Sequence, residues 1–292
     1  METVPSPVIK TYPKRGPLQQ FRLAATAAFR CFRCGATKKS RLITVYADDW
    51  SKRLCNGCYG RLLSIYEIKA GTGSDDEKAE HLAGLLRSLV SLDDQRTAES
   101  LLLASDARAK LLSPETLRFL ATSEYLADKL GSHEQLEWSP AVIGLCKAVE
   151  LEIIGQIVRP LAQRTAGVDL SLDLKDKDVT RIAEFCANQN RKPPELGTIA
   201  YFLQTVIHSR NRRSTSALMR AFLELTADWT GSHWILDPNG LHQTLTRITI
   251  DFRNKAAHID QLTEVDYRKC RELVMGPEGT LWRLATSLEK HR

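Results

Sequence analysis

The chain has 292 residues, of which 43% are hydrophobic and 26% are charged, a composition typical of globular proteins. It contains no run of about 18 apolar residues, so we expect no membrane-spanning helix and no membrane partner. Its N-terminal segment has prolines and charges where a secretory signal needs an apolar core. These features favour a cytoplasmic protein, whose thiols stay reduced.

Charge is unevenly distributed along the chain. Residues 1–70 contain 13 Lys and Arg against 4 Asp and Glu, a net charge of +9, whereas the whole chain carries +6, so the remainder carries −3. A basic segment of this kind favours polyanionic partners, most simply nucleic acid. The alternative is a solvated basic tail.

Four of the seven cysteines form two pairs, Cys31-x2-Cys34 and Cys55-x2-Cys58, separated by 20 residues. Two residues between thiolates allow one tight turn to present both sulfurs to one ion, and this spacing is typical of a zinc site with four cysteine ligands. No histidine occurs in residues 1–80, which favours a closed, structural Zn²⁺ site over a catalytic one. A disulfide or redox set is the alternative.

The sequence around the cysteines predicts a β-hairpin followed by a helix. Residues 41–46 have strand propensity, Asp48-Asp49 suits a hairpin turn, and residues 61–68 have a helical pattern. A two-cysteine turn, a hairpin and a helix carrying the last pair resemble the treble-clef class of zinc fingers. A zinc ribbon is the other interpretation.

The module also interleaves basic and aromatic residues. Lys38, Lys39 and Arg41 are candidates for nucleic-acid contacts, because cations bind phosphates and nearby rings stack on bases. The alternative is a basic protein-binding surface whose rings form the small core of the module. The aromatic residues concerned are Phe32, Tyr46, Trp50 and Tyr59.

Apolar residues at helical spacing dominate the rest of the chain and predict a mainly α fold. Helix starts are indicated at Ser74, at Pro140 and at the capping-box pattern from Thr263 to Asp266. The single cysteines Cys146, Cys186 and Cys270 lie in apolar contexts and are interpreted as buried structural thiols. The predicted organisation is a flexible basic arm over residues 1–20, the zinc-finger module over 21–70, a linker over 71–76, a helical middle segment over 77–135 and a helical domain over 136–292.

A short motif closes a predicted amphipathic helix late in the chain. Arg253 and Asn254 are followed by His258 in the string R-N-K-A-A-H. This string resembles the R-x4-H signature of HEPN domains, compact helical domains found in many RNA-cutting toxins, defence proteins and CRISPR-associated nucleases. The apolar helix that begins at Ser139 also resembles the early helix of bacterial HEPN domains. The resemblance covers roughly residues 136–292 and implies an HEPN-like helical bundle that forms a homodimer.

The residue types of this motif suit RNA cleavage without a metal. His258 would act as general acid–base, Arg253 would bind the scissile phosphate, and Asn254 would orient them. Arg253 and His258 are five residues apart, about 140° around an ideal helix, so a regular helix cannot direct both at one target. A local distortion, or a second chain in the HEPN-type dimer, would resolve this difficulty.

Several alternatives remain open for the residues near this motif. Arg253 could pair with Asp251 or Glu264 while Asn254 caps the helix. Lys147 and Glu150 form either a surface pair or buried polar groups near the site.

One HEPN subtype has a tyrosine, modified by its partner, two residues after the histidine. Here that position is Asp260, so this modification is not expected. The basic residues Arg210, Arg212 and Arg213 either contact RNA phosphates or form a solvated helix end.

The sequence thus predicts a metal-independent RNA endonuclease of the toxin or anti-phage defence type. Its zinc module would recruit RNA or a trigger, and an antitoxin or trigger protein is a further expected partner. The alternative is a non-catalytic regulator whose zinc finger binds nucleic acid or protein and whose helical domain dimerises.

Overall fold

The structure, a computed structural model, describes residues 6–130, 137–258 and 261–287. It is mainly α-helical, as predicted, with one small antiparallel sheet near the N-terminus. No helix in the described ranges is both long and apolar enough to cross a bilayer.

The sheet has the strand order β1-β2-β3-β4. Its strands are β1 (Val8–Thr11), β2 (Leu18–Arg30), β3 (Thr37–Tyr46) and β4 (Asp49–Leu54). The α-helices are α1 (Asn56–Ala70), α2 (Asp75–Leu89), α3 (Leu92–Ser105), α4 (Pro114–Leu130), α5 (Ser139–Ile153), α6 (Arg159–Arg164), α7 (Thr180–Ala187), α8 (Leu196–His208), α9 (Arg210–Thr215), α10 (Ala217–Thr226), α11 (Ser232–Ile235), α12 (Leu241–Arg247), α13 (Lys255–Ala257), α14 (Glu264–Met275) and α15 (Thr280–Ser287). The described ranges also contain 3₁₀ turns at Ala107–Leu111 and Asp173–Lys175 and π-helical segments at Ile154–Val158 and Ile248–Asn254.

The predicted flexible arm over residues 1–20 is wrong for its described part. Strand β1 pairs antiparallel with β2, so this segment belongs to the sheet. Pro7 and Pro13 lie outside β1 at either end, and β1 is an edge strand, where prolines interrupt no central hydrogen bonds. The prolines therefore mark the ends of a strand rather than a mobile segment.

The predicted zinc-finger module over residues 21–70 and the helical body share one hydrophobic core. Leu62 and Ile65 of α1 are fully buried in the same cluster as Trp138, which precedes α5. At the end of α1 the Lys69 ammonium lies 3.1 Å from a carboxylate oxygen of Glu137 and donates a hydrogen bond to the Ser139 hydroxyl at 3.0 Å. Both charged side chains are inaccessible to solvent, so this ion pair fixes α1 against the start of α5.

Helix α5 is central, as its apolar sequence predicts, and nearly every residue in it is buried. At Gly144 it passes very close to α2 and α4. A Cβ atom there would lie 2.7 Å from Leu86 Cδ2 and 3.0 Å from Ser123 Cβ, so glycine is required by the packing. Helices α2, α4 and α5 therefore form a tight three-helix layer.

The structure also confirms two predicted helix starts. Ser74 forms a capping box with Glu77 at the beginning of α2, and Thr263 forms one with Asp266 at the beginning of α14. Each box satisfies backbone N–H groups that have no partner within the helix. The N-terminal turn of α2 is therefore well defined, which matters because it reaches the Arg–His motif.

We predict that Lys69→Ala destabilises the whole protein by about 3–5 kcal/mol, because it leaves the Glu137 carboxylate buried without its cation. Urea unfolding followed by circular dichroism measures the change. The matched control is Lys14→Ala, which removes the cation of the exposed Lys14–Asp48 pair and should cost less than about 1 kcal/mol. Equal losses in the two variants would contradict the structural role of the buried pair.

Candidate metal centre and Arg–His site

The four predicted cysteine ligands meet at one point. The sulfur atoms of Cys31, Cys34, Cys55 and Cys58 all lie within 4.8 Å of one another. A tetrahedral zinc ion with Zn–S bonds of about 2.3 Å separates its sulfurs by about 3.8 Å, and the Cys34 and Cys55 sulfurs are 3.9 Å apart. The cluster can therefore bind a metal ion and is compatible with zinc.

Local structure explains why the two pairs converge. The first pair lies on the turn between β2 and β3, where the Gly35 N–H donates to the Cys31 carbonyl at 2.9 Å. Gly35 has a φ of +67°, a left-handed conformation that favours glycine. Of the second pair, Cys55 directly precedes α1 and Cys58 lies in its first turn. Free N–H groups and the positive end of the helix dipole stabilise thiolates at that position.

Neighbouring groups favour the thiolate form of Cys31, whereas the hydrogen bond with Cys31 raises the pKa of Cys58 and burial raises that of Cys34. A hydrogen bond with Cys58 lowers the pKa of Cys31 to about 4, against the opposing effect of burial. The Cys55 N–H also donates to the Cys31 sulfur at 3.3 Å. Burial lowers the pKa of Arg33, while the nearby charges of Cys58 and Cys31 raise it, so this cation lies beside the sulfurs. It would offset part of the negative charge of four thiolates around one divalent ion.

The three remaining cysteines lie outside this cluster. Cys146, Cys186 and Cys270 are buried in helices of the body, as predicted for structural thiols. Burial raises the pKa of Cys186 to about 11, so its thiol stays protonated at neutral pH.

The basic residues predicted to contact nucleic acid have different surroundings in the structure. Lys38 and Lys39 are exposed on β3. The Arg41 guanidinium instead donates to the backbone carbonyl of Ala24 at 2.7 Å, where β2 bulges away from β3. Arg41 therefore supports the irregular backbone of β2.

The aromatic residues of the module mainly build its core. Tyr46 is buried and stacks with Phe32, the ring centroids being 6.5 Å apart. Trp50 packs on Phe21 with centroids 4.8 Å apart. Tyr46 is thus inaccessible to a base, which favours the alternative in which these rings form the small core of the module.

The basic residues near α9 also differ from one another. Arg212 pairs with Asp176 at 3.1 Å and with Asp178 at 2.6 Å, so carboxylates already neutralise its charge. Arg210 is exposed and Arg213 is half-buried. An RNA contact remains a prediction for these last two residues.

The helix that carries the Arg–His motif is distorted at the motif. Residues Ile248–Asn254 are π-helical, α13 ends at Ala257, and His258 adopts an extended conformation with φ −83° and ψ 171°. Arg253 and His258 therefore do not keep the angular relation of an ideal helix. This is a local distortion of the kind that the five-residue spacing requires.

Arg253 is enclosed by carboxylates from two other helices. Its side chain is 5% exposed, forms an ion pair with Asp76 of α2, and lies 3.8 Å from a carboxylate oxygen of Glu150 of α5. Burial lowers the pKa of Arg253, but the charges of Glu150 and Asp76 outweigh it, so the net shift is upward. The carboxylates beside Arg253 are thus not those of Asp251 or Glu264, the partners considered from the sequence.

His258 lies at the surface beside the same helix terminus. Its side chain is 54% exposed, and Nε2 lies 3.5 Å from a carboxylate oxygen of Asp75. Asn254 is half-buried, and its side-chain oxygen has no hydrogen-bond partner within the described part of the chain. Asp260, which stands where one HEPN subtype has its modified tyrosine, lies outside the described residues.

The ion pairs around Arg253 continue along α2 and α5. Lys147 contacts both Glu80 and Glu150, and Glu150 approaches Arg253. The pair Lys147–Glu150 is thus an i, i+3 pair that also belongs to the surroundings of the motif. Sequence reasoning missed Asp75 and Asp76, which it assigned to a linker, since nothing in the sequence connects them to an arginine so distant along the chain.

Comparison of the chain with protein-family models, with curated proteins and with solved structures finds no match.

We predict that the purified protein contains one zinc ion per chain and that Cys58→Ala sharply lowers the bound zinc, because a more weakly bound water must then replace one of the four thiolates. Metal content is measured by mass spectrometry after gel filtration. Cys186→Ala is the control, since it removes a buried thiol outside the cluster and should leave the metal content unchanged. Full retention of zinc in the Cys58 variant would refute the four-ligand assignment.

Proposed function

We propose that this protein is a metal-independent RNA endonuclease of the toxin or anti-phage defence type with an HEPN-like helical domain. One observation carries the proposal. Arg253 contacts Asp76 while His258 lies beside Asp75, so the two motif side chains converge on consecutive anionic residues. An arginine and a histidine that both lie beside carboxylates can bind another anion in the same place, and the phosphodiester of RNA is such an anion.

The proposed chemistry uses the side chains in distinct roles. Arg253 binds the scissile phosphate through its planar guanidinium. His258, accessible at the end of α13, transfers the proton between the 2′-hydroxyl and the leaving 5′-oxygen. Asn254 orients these groups through its amide. The 2′-oxygen bonds to phosphorus as the bond to the 5′-oxygen breaks, which gives a 2′,3′-cyclic phosphate and a 5′-hydroxyl.

The cysteine module serves recruitment in this proposal. We infer a structural zinc ion in a finger of the treble-clef type, since the second cysteine pair lies at the beginning of a helix that follows a hairpin. Four thiolates leave the ion no free position for chemistry. The exposed Lys38 and Lys39 of β3 would contact RNA phosphates, and a second copy of the chain would place two motifs together in a homodimer.

We predict that His258→Ala lowers the rate of RNA cleavage in EDTA by about 10²–10⁴-fold, the usual contribution of a general acid–base. Cleavage of tRNA and mRNA is followed by gel electrophoresis, and the product ends are identified by mass spectrometry. The control is His233→Ala, which changes an exposed histidine of α11. Equal cleavage by wild type and the His258 variant, or none by either, would exclude the proposed activity.

We also predict that the double variant Lys38→Ala/Lys39→Ala binds RNA more weakly and with a smaller salt dependence. The slope of log affinity against log salt should fall by about 0.7 for each lysine that contacts a phosphate of single-stranded RNA. Fluorescence anisotropy at several salt concentrations measures both effects. Lys175→Ala/Lys177→Ala, which removes two exposed lysines from the body, should change neither. The same slope in both variants would argue against recruitment by β3.

The burial of Arg253 favours a second candidate function. A guanidinium that is 5% exposed and paired with carboxylates is what a purely structural arginine would show. In that case the protein is a non-catalytic regulator whose zinc finger binds nucleic acid or protein and whose helical domain dimerises. RNA binding that depends on Lys38 and Lys39, without any cleavage that depends on His258, would identify this function.

A further inference from the structure

The first turn of α2 presents a concentration of negative charge to the Arg–His motif. Asp75, Asp76 and Glu77 occupy that turn, and Glu80 follows one turn later. Asp76 pairs with Arg253, Asp75 lies beside His258, and Glu80 contacts Lys147. Arg253, His258 and Lys147 thus each lie beside an acidic residue of α2.

This arrangement prevents Arg253 from binding the scissile phosphate. A guanidinium binds a phosphate through the same N–H groups that bind a carboxylate. In the structure those groups are directed at Asp76 and Glu150, and the side chain is almost fully buried. An RNA phosphate can reach Arg253 only if the Asp76 carboxylate moves away.

We propose that the first turn of α2 is an autoinhibitory element whose two aspartates occupy the phosphate position of the Arg–His site. This inference rests on the proposed function, because it concerns the regulation of that same site. Asp76 is the direct competitor of the scissile phosphate for Arg253. Asp75 occupies the space that the substrate needs beside His258.

The packing of α2 allows its first turn to move while the rest stays in place. Asp75 and Asp76 have side chains that are 34% and 30% exposed. Further along the helix, Ala79, Leu82 and Leu86 are buried in the core. Opening of the first turn therefore requires no disruption of the contact between α2 and α5.

Glu150 lowers the free-energy cost of this opening. A buried arginine that loses its only partner is strongly destabilising. Here Glu150 stays near the guanidinium when Asp76 leaves, so Arg253 keeps one carboxylate partner and can accept the phosphate beside it. Arg253 therefore exchanges only Asp76 for the substrate and is never without an anionic neighbour.

The zinc-finger module is connected directly to this element. Helix α1, which carries Cys58, ends at Ala70, and α2 begins at Asp75. The connection is short and exposed and contains Gly71 and Gly73. The module that we propose for RNA recruitment therefore lies next to the first turn of α2 along the chain.

The test uses the double variant Asp75→Asn/Asp76→Asn in the full-length protein. Asparagine keeps the size of the side chain and removes its charge, so we expect RNA cleavage in EDTA to rise by about 5–150-fold, the usual range of such coupling. The single variant Asp76→Asn should show part of the increase. The control is Asp93→Asn, which neutralises an exposed acid in the first turn of α3, and it should leave the rate unchanged.

A second measurement separates this inference from the proposed activity. A short single-stranded DNA lacks the 2′-hydroxyl and cannot be cleaved by the proposed reaction, and its affinity is measured by fluorescence anisotropy. The double variant should bind it at least about 5-fold more tightly than wild type, and Arg253→Ala in the same background should abolish the gain.

The outcomes are distinct. A double variant that is folded by circular dichroism, yet neither cleaves faster nor binds more tightly, overturns the autoinhibitory role while wild-type cleavage that depends on His258 stands. Tighter binding that depends on Arg253, without cleavage by any variant, supports occupation of an anion site and refutes the nuclease. Should the double variant fail to fold, Asp76→Asn alone decides by the same two measurements.

Discussion

The positive charge of Arg253 constrains how the helical body is assembled. An arginine buried in an otherwise apolar interior is tolerated only with carboxylates beside it. The chain meets this requirement with Glu150 from the central helix α5 and Asp76 from the beginning of α2. Three segments that are far apart in the sequence are therefore held at one point by charge neutralisation, in addition to the apolar contacts between their helices.

A second buried ion pair, Lys69–Glu137, extends the same logic to the zinc-finger module. It fixes the end of α1 at the start of α5, while the cysteine cluster fixes the beginning of α1 to the turn between β2 and β3. Helix α1 is thus held at both ends by polar interactions that tolerate little displacement. The cysteine cluster and the α1–α2 connection are therefore physically linked through α1, although the cluster and the Arg–His motif lie in separate parts of the fold.

Local patterns predicted much of the secondary structure and the metal centre. The capping boxes at Ser74 and Thr263 involve residues three apart, and the paired cysteines define their own turns, so neither requires knowledge of distant residues. The arm at the N-terminus was predicted wrongly because strand pairing is non-local. The prolines that flank β1 look the same in a coil and at the ends of an edge strand.

The sequence by itself determined the helical composition, the two cysteine pairs and the presence of an Arg-x4-His string, because each depends on residues close together in the chain. Only the tertiary structure decided that Arg253 is buried, that His258 is exposed, and that Asp75 and Asp76 are directed at them. The packing of the helices determines which acidic residue lies beside a charged side chain. The sequence alone is compatible with many such pairings. Because α2 and the motif are far apart in the sequence, the sequence did not predict the contact between Asp76 and Arg253, which most affects how the site is interpreted.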